Sequence, residues 1–296
     1  MGAVHPEPGL SVATMTLVPS APARVVMWTG RVLTAVGLLA AGFLAYEFVL
    51  SSLSFQQAQL GLVSAFKTSI QSTRLDAPDV VPAEGGPVAM LKVPQLGIEM
   101  VVVEGTTAED LKAGPGHLRV SPMPGEFGNA VIVGRRTTYG GMFRNLDRLH
   151  PGDTLTAVTG QGTFTYKIAE VSRVAEGNAV PLIGTLDSRL TLVTSDPALV
   201  GSGRLYVVAK LQGRPVAVAR RAAPMATVPD LGLAADPTWL APGFIWTQLV
   251  LVAAWLTGRM RRRWPPSVLL MFAAPTIVGL ALLAYSSFDR ALPGAL

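Results

Sequence analysis

Val131-Ile132-Val133-Gly134-Arg135-Arg136-Thr137-Thr138-Tyr139-Gly140 opens as a β-branched apolar run, the composition of a buried strand. It closes in a polar, glycine-containing turn, the strand-end position at which a β scaffold presents chemistry. Two later runs have the same form: Leu190-Thr191-Leu192-Val193-Thr194-Ser195-Asp196-Pro197 and Arg204-Leu205-Tyr206-Val207-Val208-Ala209. Working outward from these three, further strands are expected at Val88–Val93, Met100–Glu104, Thr154–Val158 and Phe164–Val174, with the first three runs contributing Ala130–Arg135, Leu190–Ser195 and Leu205–Leu211. Turn signals at Pro94-Gln95-Leu96-Gly97, Pro151-Gly152-Asp153 and Gly160-Gln161-Gly162 separate them. A short helix fits Thr107–Ala113, with Thr106 as its cap and Glu109 at capping-box spacing. Many short strands in one stretch imply a closed barrel or a sandwich.

Composition narrows the chemistry. Half of the 296 residues are hydrophobic and only 15% are charged, against roughly 25% in ordinary soluble domains, which points to membrane segments. The absence of cysteine excludes disulfides, zinc–cysteine sites and thiol catalysis. His5, His117 and His150 are far apart and have no metal-ligand spacing, so neither metal nor cofactor is expected. His150, before Pro151-Gly152, reads as a surface turn residue. The net charge of +5 is accompanied by no nucleic-acid motif, and the basic residues are better assigned to membrane topology.

The chain reads in seven parts. Residues 1–23, rich in proline and small residues, are expected to be a disordered cytoplasmic tail. Residues 32–50 form the first apolar span, long enough at 1.5 Å per residue to cover roughly 28 Å of hydrocarbon. Glu47 lies near its end, within reach of the headgroups. Residues 51–86 read as stalk and linker, 87–211 as the β domain and 212–238 as a second linker. Residues 240–258 and 267–285 are two further spans, the last tolerating Pro275. Arg24 and Arg31 precede the first span, and Arg259, Arg261, Arg262 and Arg263 join the other two. The positive-inside rule puts both groups in the cytoplasm and the β domain outside a plasma membrane. For the arginine cluster, a topology signal is the preferred reading over a specific lipid site.

The β domain resembles a sortase, most like the class E sortases of Gram-positive actinobacteria. The resemblance runs through Leu91-Lys92-Val93-Pro94, Gly114-Pro115-Gly116-His117, Pro124-Gly125-Glu126-Phe127-Gly128-Asn129, Arg136-Thr137-Thr138-Tyr139-Gly140 and Pro151-Gly152-Asp153 to the final strand. It implies an eight-stranded β-barrel outside the membrane. It also implies transpeptidation, in which a cysteine attacks the Thr–Gly bond of a sorting signal, a histidine moves protons and an arginine steadies the oxyanion or substrate. At the positions that match the family motifs, Arg135 stands for the histidine, Ser195 for the cysteine and Arg204 for the arginine.

Only the third of these is kept. A serine hydroxyl needs a positioned base, and a guanidinium cannot be one. Loss of acid–base help removes a factor of roughly 10²–10⁴ beyond the weaker nucleophile. The first expectation is therefore a pseudoenzyme that binds a sorting-signal-like peptide or a cell-surface protein, among them an active sortase, through Arg135, Arg204, Thr194 and His117. Two guanidiniums beside Ser195 would favour an anionic group; the rival expectation is a salt bridge between Arg135 and a nearby carboxylate. Two alternatives stand beside the pseudoenzyme. One is a transpeptidase or hydrolase using Ser195 with His117 or Asp196 as base, although Asp196 should face away from its neighbour on an extended strand. The other is a structural membrane component whose barrel is a docking module.

Overall fold

The apolar runs between Pro87 and Gln212 form eight strands: β1 (Pro87–Val93), β2 (Ile98–Glu104), β3 (Gly116–His117), β4 (Asn129–Val133), β5 (Thr154–Thr159), β6 (Gly162–Ala175), β7 (Arg189–Asp196) and β8 (Gly203–Gln212). They close into a barrel in the order β1-β2-β3-β4-β7-β8-β6-β5. The computed structural model describes residues 21–71, 82–175, 187–197, 203–217 and 237–292. The tail expected over 1–23 lies almost wholly outside the described residues, as do 72–81 and 218–236 of the two expected linkers.

Alternation divides the barrel wall into two faces. Ala130 and Ile132 of β4, Leu190 and Leu192 of β7 and Leu205, Val207 and Ala209 of β8 join the main core. Val131 and Val133, Val193 and Tyr206 lie on the other face, covered by Leu111 and Leu118. β4 runs parallel to β7, with Val133 opposite Val193, and β7 runs antiparallel to β8, with Ser195 directly opposite Arg204. The seven expected strands all form, most of them one or two residues longer than expected; the strand expected over Ala130–Arg135 instead ends at Val133, leaving Gly134 and Arg135 beyond it. The two-residue β3 bridges β2 and β4, and it is too short to leave a periodic signal.

The short helix α3 is Asp110–Ala113, beginning three residues later than the expected Thr107–Ala113, and Glu109 before it makes no side-chain capping bond; a reciprocal pair forms instead between Thr107 and Asp110. Thr107 Oγ1 accepts from the Asp110 amide at 3.2 Å, and Asp110 Oδ2 accepts from the Thr107 amide at 3.0 Å. Thr and Asp share this reciprocal geometry with the Thr106/Glu109 pair; the shorter Asp side chain selects the later register.

The chain divides into two compact units, Met1–Gly42 and Phe43–Leu296. Helix α1 (Ala21–Ala45) carries exposed Trp28, Leu33, Val36 and Leu38. A π-helical segment, Tyr46–Leu50, leads into α2 (Ser51–Gln71). Towards the C-terminus come α4 (Leu240–Met260) and α5 (Pro266–Ala291). Among the described residues, three stretches are long and apolar enough to cross a membrane: Val25–Gln71, Pro237–Met260 and Pro266–Ala291.

The stalk expected after the first span is helical through Gln71, and its first half is seated on the barrel. Phe55 belongs to the barrel core. Gln59 Nε2 donates to the carbonyls of Ala113 and Val101, while its Oε1 accepts from the Val101 amide at 2.9 Å, so one side-chain amide satisfies both backbone groups of a β2 residue. Glu47 does not reach outward. It is buried, and neither carboxylate oxygen has a hydrogen-bond partner.

Gly134 ends β4 without a side chain because the ring of Phe143, fully buried, occupies the place where a Cβ would stand. Gly134→Ala should therefore destabilise the barrel by ~1–3 kcal/mol through overpacking, measured as a lower denaturation midpoint of the full chain in detergent.

Candidate functional site

Register brings the three family positions to one sheet end. Arg135 lies two residues beyond Val133, Ser195 two beyond Val193, and Arg204 sits across from Ser195. The Gly134 amide continues the ladder by donating to the Val193 carbonyl at 2.9 Å. Ser195 is fully buried, and Arg204 is buried on the same wall, with Nη1 donating to the Gly203 carbonyl.

The Arg135 guanidinium is turned into the protein. It is 1% exposed. Nη1 donates to Thr138 Oγ1 at 2.9 Å and Nη2 to the Ala108 carbonyl at 3.1 Å. Nη1 also lies 3.5 Å from Asp289 Oδ1, on the last turn of α5, and the guanidinium stacks 4.6 Å from the centre of the Tyr139 ring. The carboxylate partner named in the rival expectation is thus present, and it comes from a membrane-type helix.

Asp289 is itself 1% exposed and gathers more than one cation. Lys112 Nζ lies 3.1 Å from Asp289 Oδ2, and the Tyr139 hydroxyl donates to the same oxygen at 3.1 Å. Tyr139 has a positive φ of 48°, a left-handed conformation costly for a bulky residue. Its surroundings hold it there: the amide donates to Ser51 Oγ at 3.2 Å, the hydroxyl reaches Asp289, and Arg135 covers the ring. Burial, and after it the negative charge of Asp289, pushes the Tyr139 phenol well above its ordinary value, with Arg135 opposing. The group therefore stays a donor. Glu47 lies within electrostatic range of Asp289, Arg135 and Lys112.

The guanidinium that does reach the end of β7 belongs to Arg136. Nη1 donates to the Ser195 carbonyl at 2.8 Å and to Asp196 Oδ1 at 2.6 Å, and Nη2 lies 3.5 Å from Asp147. Asp196 is also approached by Arg173 at 3.3 Å. Its carboxylate is engaged by two arginines instead of being aimed at the Ser195 hydroxyl.

His117 and Thr194, expected to bind a ligand, are both committed elsewhere. His117 is buried, with Nδ1 2.8 Å from Glu104 Oε2 and Nε2 2.9 Å from the Pro122 carbonyl oxygen. Thr194 is fully buried, and its hydroxyl donates to the Gly134 carbonyl at 2.7 Å. It points to the opposite face from Ser195, as alternation requires. Near Arg204, burial raises the Tyr206 phenol, with the guanidinium acting against it. Among the described residues no cluster of His, Asp or Glu could hold a metal ion.

Asp289, Lys112, Tyr139 and Glu47 were not singled out as site residues by sequence. One signal was available: an ionisable side chain at the edge of an apolar span is costly unless paired, and so marks a contact. No motif or spacing identifies which residue is the partner.

Comparison with known proteins places these residues in context. The family model of the sortase domain matches residues 91–212. Sortase D of Bacillus subtilis is 32% identical over 149 residues, covering 47% of this chain and 73% of that protein. Sortase SrtE1 of Streptomyces coelicolor is 25% identical over 139 residues, covering 42% of this chain and 40% of that one. Among solved structures, a Clostridium perfringens sortase D5 transpeptidase is 29% identical, with a TM-score of 0.48 over 55% of this chain and 100% of that one.

Arg136 is the cation on which the end of β7 depends. Arg136→Lys keeps the charge but loses the planar fork that serves the Ser195 carbonyl and Asp196 together. It should cost ~1.5–3 kcal/mol, the range for hydrogen bonds to charged groups, read from chemical denaturation of the full chain.

Proposed function

The chain belongs to the sortase family, and from that premise we propose that it is a catalytically silent, membrane-anchored member whose barrel binds a sorting-signal-like peptide or a protein partner at the cell surface. The observation that carries the reading is the fate of the histidine position. Arg135 offers no base, and its charge is spent on Asp289, Thr138 and the Ala108 carbonyl. Ser195, at the cysteine position, is fully buried. The two bases that might have rescued a serine are engaged elsewhere, His117 by Glu104 and Pro122, and Asp196 by Arg136 and Arg173. A hydroxyl without a positioned base is a poor nucleophile at neutral pH.

The kept feature is the β7–β8 wall with Arg204 opposite the nucleophile position, which supports retention of a peptide-binding surface. The reading towards class E rests on the motif blocks alone. The topology, with residues 51–238 outside, is supported by the arginine pattern. It is also supported by the way Ser51 of α2 and Asp289 of α5 both bond to Tyr139 of the barrel. That same contact favours a second reading, in which the barrel is a docking module clamped to its helices and the groove is unused.

The test uses the full chain, because Phe55 and Asp289 complete the barrel from outside residues 87–211. It is mixed with fluorogenic sorting-signal peptides and an amine acceptor, beside the double variant Arg135→His/Ser195→Cys. The native chain should show no turnover, at least ~10²-fold below the double variant. Turnover that disappears in Ser195→Ala would overturn the proposal. Peptide binding by the native chain, measured by anisotropy, separates the two silent readings.

A further inference from the structure

The turn between α4 and α5 carries Arg259, Arg261, Arg262 and Arg263, all exposed. It is tight: the Met260 carbonyl accepts from the amides of both Arg263, at 2.8 Å, and Trp264, at 3.1 Å. Met260 and Trp264, which bracket the last three arginines, also line a cavity of about 370 Å³ between the two helices. Leu256, Val268, Phe272 and Ala273 continue its wall, so the cavity runs along the apolar part of the hairpin. From residue 237 to 288 the sequence has no carboxylate, and among the described residues none forms an ion pair with these four arginines.

We propose that this hairpin end is a binding site for one anionic phospholipid of the bilayer, its headgroup held by the arginines and an acyl chain lying in the α4–α5 cavity. The proposal rests on the spanning reading of α4 and α5 and goes beyond it. Orientation needs only positive charge in the loop. It does not need an apolar cavity whose mouth is walled by the residues flanking that charge. The two together have the chemistry of a lipid: four guanidiniums able to fork onto phosphate oxygens, a volume within the roughly 300–1,000 Å³ of small-molecule sites, and Trp264 beside the arginines, a residue type enriched at membrane interfaces. Basic pockets between helices on the cytoplasmic side recognise anionic headgroups in this way. The occupant is a lipid and not a nucleotide or soluble anion, because the cavity wall is predominantly apolar: of its polar residues, Thr257 and Thr276 spend their hydroxyls on the Ala253 and Phe272 carbonyls.

The full chain is purified in neutral detergent and offered palmitoyl-oleoyl phosphatidylglycerol or the matching phosphatidylcholine, and retained lipid is counted by native mass spectrometry. Retention should saturate at one phosphatidylglycerol per chain, preferred at least ~5-fold over phosphatidylcholine. Arg261→Gln/Arg262→Gln/Arg263→Gln should remove the preference. Ala273→Trp fills the cavity and leaves every charge in place; it should remove the retained lipid as fully. Equal retention of both lipids, or undiminished phosphatidylglycerol on Ala273→Trp, would overturn the proposal. Because the chain has no cysteine, Gln95→Cys and Arg259→Cys labelled with an impermeant maleimide on intact cells report orientation separately. Labelling at Gln95 alone is expected. Labelling at Arg259 would sink the topology while the lipid count still decides the site.

Discussion

A buried ion pair between Arg135 and Asp289 joins the end of β4 to the last turn of α5, and the arrangement around it follows from the need to satisfy both charges. Two ions withdrawn from water cost several kcal/mol each unless further donors and acceptors complete them. Arg135 takes Thr138 and the Ala108 carbonyl, and Asp289 takes Lys112 and the Tyr139 hydroxyl; the completion is partial, because Arg135 Nε and Asp289 Oδ1 make no hydrogen bond. Satisfying Asp289 requires Tyr139 to hold a left-handed backbone, and holding that backbone involves Ser51 of α2. One charge pair thereby ties α2, α3, the strand-end loop and α5 together.

The strand end that carries Arg135 is joined to α5 through Asp289. A catalytic histidine must be reachable and able to exchange a proton. A guanidinium has neither property, but its fixed charge and planar donors suit a permanent contact with a carboxylate. Ser195, on the strand paired with Arg204, lies fully buried.

Much of the barrel was legible in the sequence because a closed sheet with one face on the core imposes alternation and turn chemistry at every step. Ile132, Leu190 and Leu205 announced their strands. The two-residue β3 carries no period, and Thr107–Asp110 took the cap from Thr106–Glu109 by one residue of register. The three family positions were found through motif blocks, and their placement at one sheet end follows from pairing. Their partners were not readable. Asp289 is 154 positions from Arg135 and lies on a helix whose packing is set by apolar surface, which has no residue-level code. Gln59 reads as a polar stalk residue until β2 presents Val101 to it.

The most direct measurement is a double-mutant cycle on the full chain, using Arg135→Met, Asp289→Leu and the two together, with stability read by denaturation in detergent. Removing Asp289 leaves the Arg135 guanidinium buried without a carboxylate, so Asp289→Leu should lose ~3–5 kcal/mol. Arg135→Met should lose less, because Lys112 still faces Asp289 at 3.1 Å, and the apolar pair together should lose less than the sum. Additive losses in the double variant would contradict the account, because Arg135 and Asp289 would then not be partners.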